Sequence, residues 1–176
     1  MGTIRDEIRQ TKPFESAADE AVVTLLATAD RVRTTLSAVT GAHEVTLQQY
    51  NVLRILRGAG SAGIPTLEVA ARMIEDSPGI TRLLDRLESR GLVRRVRRPE
   101  DRRQVLCHAT DRALRVLAAL ERPLAEATRH SLAPLDAART AELVRLLDAV
   151  RAAAASFRTE TNTRDLENPK KEKKTR

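Results

Sequence analysis

The feature that most constrains the fold lies between residues 66 and 109, where two short helical patterns and two short β-prone runs succeed one another with sharp boundaries. Thr66 is placed to cap a helix predicted to run through Met73 or Ile74, and Glu75-Asp76 breaks its pattern. Ser77-Pro78 then reads as an N-cap followed by proline at the first helical position, where the missing N–H costs nothing. In the helix that follows, Ile80, Leu83, Leu84 and Leu87 recur at helical spacing and form a buried face. Gly79, Thr81, Arg82, Asp85 and Arg86 face elsewhere, and Gly91 supplies the stop. Two short helices joined by a tight turn form a helix-turn-helix. Beyond Gly91, Leu92–Arg97 and Gln104–Ala109 are β-prone and flank the charged stretch 98–103, which predicts a β-hairpin with a charged tip. A helix-turn-helix followed by a hairpin is a winged helix.

Just upstream, GAGSAG at 58–63 satisfies the pattern G-x-G-x-x-G, the signature of a pyrophosphate-binding turn. That chemistry needs a buried strand before the glycines and a helix opening after them. Here a helix precedes: Thr46 and Gln49 form a T-x-x-Q capping box, Val45 and Tyr50 a hydrophobic staple, and Leu47, Tyr50, Leu53 and Leu56 follow helical spacing. Ile64-Pro65-Thr66 follows, too short and proline-bearing to be the required helix start. The glycines are therefore read as a chain-reversing turn, with Ile64 adding a short strand beside the wing. Ser61 has the local look of G-x-S-x-G, but Gly58 is out of register and no strand precedes it.

Long apolar seams flank this region. Val22, Leu25, Ala29, Val32, Leu36 and Val39 alternate steps of three and four after an acidic capping pair, Ser16 and Asp19. Thr110 is placed to cap a helix with Leu114, Leu117, Leu120 and Leu124, bent near Pro123, and Asp136 caps a last one with Leu143, Leu147, Val150, Ala154 and Phe157. The expected organisation is an N-terminal arm at 1–15, a helix at 16–45, the winged lobe at 46–109, C-terminal helices at 110–158 and a disordered basic tail at 159–176. The fold class is mainly α, with a small β-hairpin wing.

Charge indicates the partner. The 176 residues carry 31 Lys and Arg against 24 acids, for a net charge of +7. Residues 82–103 alone hold nine arginines against four acids, net +5, which is most of the excess. This run coincides with a polar helix start and a hairpin tip. Helix N-termini and arginines bind phosphate, and arginine also reads guanine edges bidentately, so the coincidence points to duplex DNA. Only Phe14, Tyr50 and Phe157 are aromatic, too few for the stacking platforms of a single-strand binder. The lysines from Lys170 onward fit either a solubilising tail or a salt-dependent attraction to phosphate.

From about Thr46 to Ala119 the chain resembles the MarR family of winged-helix transcription regulators. The likeness is strongest in SPGITRLLDRLESRGLVRR, similar to that family's recognition helix and its exit, and in PEDRRQVLCHAT, similar to the wing's D-x-R signature. The resemblance implies that Ser77, Pro78, Gly79, Thr81, Arg82 and Arg86 face the major groove, that Arg103 probes the minor groove, and that Asp101 holds Arg103. Arg97 and Arg98 join this DNA-binding set. It also implies a homodimer built from the terminal helices, with Val22, Leu25, Leu143, Leu147, Val150 and Phe157 at the interface, and a repressor working on a palindromic operator. A small aromatic or phenolic effector is a further implied partner. Two departures stand out: Arg98 replaces an acidic residue often found early in the wing, and Ala113 replaces a glycine common after it.

Other classes fit less well. His43, Cys107, His108 and His130 show neither H-E-x-x-H nor C-x-x-C spacing, so neither metal, cofactor nor enzymatic activity is expected. A lone cysteine excludes an internal disulfide; Cys107 reads either as a small buried residue or as a reactive thiol. Because the wing strand is not where oxidation-sensing members of this family carry their thiol, a small-molecule ligand, or none, is favoured over thiol sensing. The charged first 15 residues lack a signal peptide's apolar stretch and no apolar run suits a membrane span, so a cytoplasmic location is expected. The alternative function is a constitutive architectural or interaction protein that binds DNA without an effector.

Overall fold

A computed structural model of the protein describes the backbone of residues 2–74, 79–98 and 104–167, and side chains as far as residue 157. The chain divides into two compact units, Met1–Ser131 and Leu132–Arg176. In the first, a one-turn helix α1 (Ile4–Glu7) precedes the long α2 (Ala17–Gly41), followed by α3 (Leu47–Ala59). A 3-10 turn at Gly60–Ala62 leads to the two-residue strand β1 (Ile64–Pro65), then α4 (Thr66–Ala71), α5 (Ile80–Ser89), β2 (Val93–Arg97), β3 (Val105–Ala109) and α6 (Asp111–Ser131). The second unit contains α7 (Ala137–Glu167).

Local signals set several of these boundaries. Ser16 accepts a hydrogen bond from the Asp19 N–H at the start of α2. The Thr46 capping box forms in both directions: its hydroxyl accepts from Gln49 N at 3.1 Å, and Gln49 Oε1 accepts from Thr46 N at 3.0 Å. The staple beside it is half realised, with Val45 buried and Tyr50 half-buried under Arg54. Thr110 Oγ1 caps α6 through the Ala113 N–H, and Asp136 caps α7 through the Arg139 N–H.

The glycine turn behaves as chain reversal. Gly60 and Gly63 adopt positive φ, and a Cβ on Gly63 would collide with the His108 ring. That residue is glycine for two reasons, backbone conformation and the imidazole lying against it. The turn delivers Ile64 to a three-stranded antiparallel sheet of order β1-β3-β2, in which Ile64 pairs with Cys107 and Arg95 pairs with Cys107 from the other side.

One core joins these elements. Val52, Leu53 and Leu56 of α3 meet Val69 of α4, Ile80, Leu84 and Leu87 of α5, Leu92 and Val93 at the wing's entry, Cys107, and Leu117, Leu120 and Leu124 of α6. Leu36 and Val39 of α2 pack against it.

Several expectations are corrected. The first helix of the helix-turn-helix has Pro65 at its N-cap with no side-chain cap bond, so Thr66 is its first residue and not its cap, and it stops at Ala71, short of Met73. The buried stripe of α6 starts at Ala113 and not at Leu114, which is 41% exposed. Positions 113, 117, 120 and 124 keep the four-three rhythm of one face, which position 114 leaves by about 100°. The small side chain at 113 is what lets α6 begin flush against the core. Pro123 sits inside α6 without ending it, and α6 packs within the first unit against α2 and α3, although chain order groups it with the C-terminal helices. Finally, α7 continues to Glu167, past residue 159 where the sequence predicts the start of disorder; Lys170 and the lysines after it lie outside the described residues.

Candidate nucleic-acid interface

The second helix of the helix-turn-helix, α5, has two sharply different faces. Ile80, Leu84 and Leu87 are buried and Leu83 half-buried, while Thr81, Arg82, Asp85, Arg86 and Ser89 are exposed. This division follows from helical spacing, since the apolar residues fall on one stripe and the cations on the other. The helix starts later than expected: Gly79 is its N-cap, makes no side-chain cap bond, and is exposed. Ser77 and Pro78, the expected cap and first helical residue, lie outside the described residues.

Two arginines fasten α5 at its C-terminal side. Arg90 Nη1 donates to the Glu44 carbonyl at 2.6 Å, tying the helix exit to the corner between α2 and α3, where Glu44 has a positive φ. Arg95, on β2, reaches back to α5. Its Nε donates to Glu88 Oε2 at 2.8 Å, its Nη2 to Asp85 Oδ1 at 2.6 Å, and its backbone N–H to Glu88 Oε1 at 3.0 Å. The hydrogen bond from Arg95 holds the Glu88 carboxyl below its ordinary range, and the same bond raises Arg95, so both stay charged.

The expected wing residues are placed in part. Arg97 is exposed on β2, and Arg98 follows it, exposed, with its N–H donating to the Gln104 carbonyl at 3.0 Å. Thr81, Arg82, Arg86, Arg97 and Arg98 are thus exposed on α5 and at the far end of β2. Asp101 and Arg103 lie outside the described residues. Cys107 is fully buried on β3, 3.5 Å from Thr66 Oγ1, and burial pushes its thiol pKa up; this is the buried-residue reading, unlike an activated thiol. Among the described residues no group of three or more His, Cys, Asp or Glu could hold a metal ion, and no helix is long and apolar enough to cross a membrane.

Sequence reading counted Arg95 as one more cation of the basic run and left Asp85 unassigned. The acids at 85 and 88 share a helix face, which is a legible signal. What the sequence does not display is which arginine returns to them across the turn at Gly91.

Among the expected dimer residues of the first unit, Val22 is 53% exposed and Leu25 half-buried. On α7, Leu143 and Leu147 are half-buried, whereas Val150 and Phe157 are 49% and 70% exposed.

The lobe formed by α3, α4, α5 and the β1-β3-β2 sheet, with a basic outer helix face next to a two-stranded arm, is a winged helix-turn-helix. Comparison with known proteins places it more narrowly. Residues 45–105 match the model of the MarR family. A MarR transcription factor from Planctomyces limnophilus is 40% identical, with a TM-score of 0.61 over 78% of this chain and 99% of that one. The chain belongs to the MarR family of DNA-binding transcription regulators, which are not enzymes. The HTH-type transcriptional regulator TtmR of Methylorubrum extorquens (strain PA1) is 43% identical over 70 residues, a match spanning 40% of this chain and 35% of that protein's length. The PcaV transcriptional regulator from Streptomyces coelicolor, solved with its natural ligand, is 29% identical at a TM-score of 0.66, covering 81% of this chain and 99% of that one. A mutant MarR from E. coli, solved with operator DNA, is 26% identical at a TM-score of 0.66, covering 72% of this chain and 90% of that one.

Proposed function

We propose that the protein is a sequence-specific double-stranded-DNA-binding repressor that acts as a homodimer on a palindromic operator and is released by a small aromatic or phenolic molecule. The observation that carries this reading is the outer face of α5, where Thr81, Arg82 and Arg86 stand exposed on a helix whose apolar side chains are all turned inward. A helix so divided can lie in a major groove without uncovering the core, and arginine there serves both phosphate and guanine. Ser77, Pro78 and Gly79 complete the groove-facing set. Arg97 and Arg98 neutralise flanking phosphates, and Arg103, held by Asp101, enters the minor groove, whose narrow A·T stretches attract arginine. Val22, Leu25, Leu143, Leu147, Val150 and Phe157 pair two copies, which sets the half-site spacing. Support for a DNA partner and for an effector comes from two family relatives, one solved with operator DNA and one with its natural ligand.

Footprinting the wild-type protein on the DNA upstream of its own coding region tests this. A short protected inverted repeat with half-sites about one helical turn apart is expected. Broad protection without a repeat would favour the constitutive architectural reading instead. At a specific site and fixed salt, Arg103→Ala should weaken binding by about 1 to 3 kcal/mol, and an unchanged affinity would remove Arg103 from the interface. Phenolic and aromatic carboxylic acids added to the bound complex should shorten its lifetime; a complex indifferent to all of them would sink the effector.

A further inference from the structure

A helix that docks on a polyanion is weakened by carboxylates of its own, yet α5 carries two. Asp85 and Glu88 lie one turn apart, on the side of α5 that meets β2, their side chains 52% and 37% exposed. In the absence of a partner they would oppose the field of Arg82 and Arg86 over distances shorter than a Debye length. Both carboxylates are instead engaged by one guanidinium.

The backbone explains why the arginine sits at 95. The strand order puts β2 at the edge of the sheet. Thr110 N–H donates to Leu92 O and Arg98 N–H to Gln104 O, which fixes the hydrogen-bonded pairs of the β2-β3 ladder at even-numbered residues of β2. Arg95, opposite Cys107, therefore occupies a position whose N–H points away from the ladder. An unpaired edge N–H invites a partner. Glu88 Oε1 accepts it at 3.0 Å, so one residue uses main chain and side chain together to fasten the edge strand to α5. Arginine suits the task because Nε and Nη2 reach two carboxylates at once, where a lysine ammonium would serve as a single point.

Resting on the DNA-binding reading above, we infer that Arg95 is a positioning residue for DNA binding: it docks the wing's edge strand on the recognition helix and cancels the two carboxylates that this helix would otherwise present to phosphate. Arg97 ends the same strand and Arg98 directly follows it, so the docking of β2 sets where their charges stand relative to Arg82 and Arg86. Arg95 itself is committed to α5 and is not a DNA contact.

The test uses the full chain and the tightest duplex that the wild-type protein selects from a randomised pool. Affinity and hydroxyl-radical footprints are compared for wild type, Arg95→Gln and Arg95→Lys, with circular dichroism and a thermal midpoint to establish folding. In folded Arg95→Gln, affinity should fall about tenfold, protection of the outer flanks should be lost, and protection of the central half-sites should remain. Arg95→Lys should fall between the two. Unchanged affinity in Arg95→Gln, or a proportional loss of every protection, overturns the proposal, because the first denies any role and the second describes general weakening without loss of wing position. Where Arg95→Gln fails to fold, Arg95→Lys, which keeps the charge but loses the reach to two carboxylates, is scored by the same two criteria. Failure of the wild type to select any duplex would reject the DNA-binding reading itself, an outcome distinct from either.

Discussion

α5 and α7 are both helices rich in arginine and aliphatic residues, and they dispose of their apolar side chains in opposite ways. On α5 the apolar residues form one stripe, and Ile80, Leu84 and Leu87 are buried within the first unit. On α7 the seam of Leu143, Leu147, Val150, Ala154 and Phe157 is accompanied by Leu146 at its edge and Val144 about a quarter-turn round, and Val144, Leu146, Val150 and Phe157 are each about half exposed or more. A ten-residue helix with a narrow stripe finds its partners inside its own lobe. The 31-residue α7 instead carries apolar side chains around more of its circumference and leaves several of them exposed. The difference teaches that periodicity locates an apolar face, whereas exposure tells whether the described residues cover it; under the proposed homodimer, the uncovered face of α7 is where a second copy would pack.

The comparison breaks most visibly if α5 is not held by its own core. Leu84→Ala removes a fully buried side chain, and the loss of transfer free energy plus the cavity left behind should cost about 2–5 kcal/mol of unfolding free energy. Chemical denaturation at several protein concentrations checks it, and the loss should be the same at each. A change below about 1 kcal/mol would mean the α5 pocket collapses freely.

On the α7 side the expected effect is smaller and of another kind. Leu146→Asp places a charge where the single chain already exposes the residue to water, so the fold should tolerate it. Self-association should weaken by about tenfold or more, equivalent to about 1.4 kcal/mol, read from sedimentation equilibrium. Unaltered association would take Leu146 out of any dimer face and narrow the interface to the seam alone.

A third prediction concerns α3, the helix that supports α5. Thr46→Ala deletes one half of the capping box, and a cost of about 1 kcal/mol in the denaturation of the first unit is expected. Were the loss negligible, α3 would owe its start to the burial of Val45 and Leu53 and not to the cap.

These cases also show how much is legible in the sequence. Caps at Thr46, Thr110 and Asp136 are readable because each is a local pattern of one residue and a neighbour three positions on. The hairpin and the glycine turn are readable because their punctuation is equally local. The start of α5 is read two residues early at Ser77-Pro78, since a cap and proline indicate where a helix is able to start, whereas the helix runs from Ile80 with Gly79 as its N-cap. The stripe of α6 is misread by one residue at Leu114, because leucine outweighs alanine in any hydrophobicity argument while close packing selects the smaller side chain at 113. The Arg95 contact is invisible because it joins a helix to a strand across a reversal, and no spacing rule reaches across Gly91.

The smallest predicted effect concerns that contact. Glu88 has its carboxyl pKa lowered, first by the hydrogen bond from the Arg95 side chain and further by the Arg95 N–H. For an acid whose folded value lies below its unfolded one, the contribution to stability is fully present above the unfolded value, about 4.3 for glutamate, and is lost as pH falls through the folded value. Wild type should therefore lose stability on acidification from about pH 5 towards pH 3 by slightly more than Glu88→Gln, whose amide does not titrate. The two denaturation curves should converge at the acid end. Because both partners are partly exposed, the separation at neutral pH should be modest. Parallel curves over the whole range would show that Glu88 contributes nothing through its charge and holds Arg95 only as a hydrogen-bond acceptor.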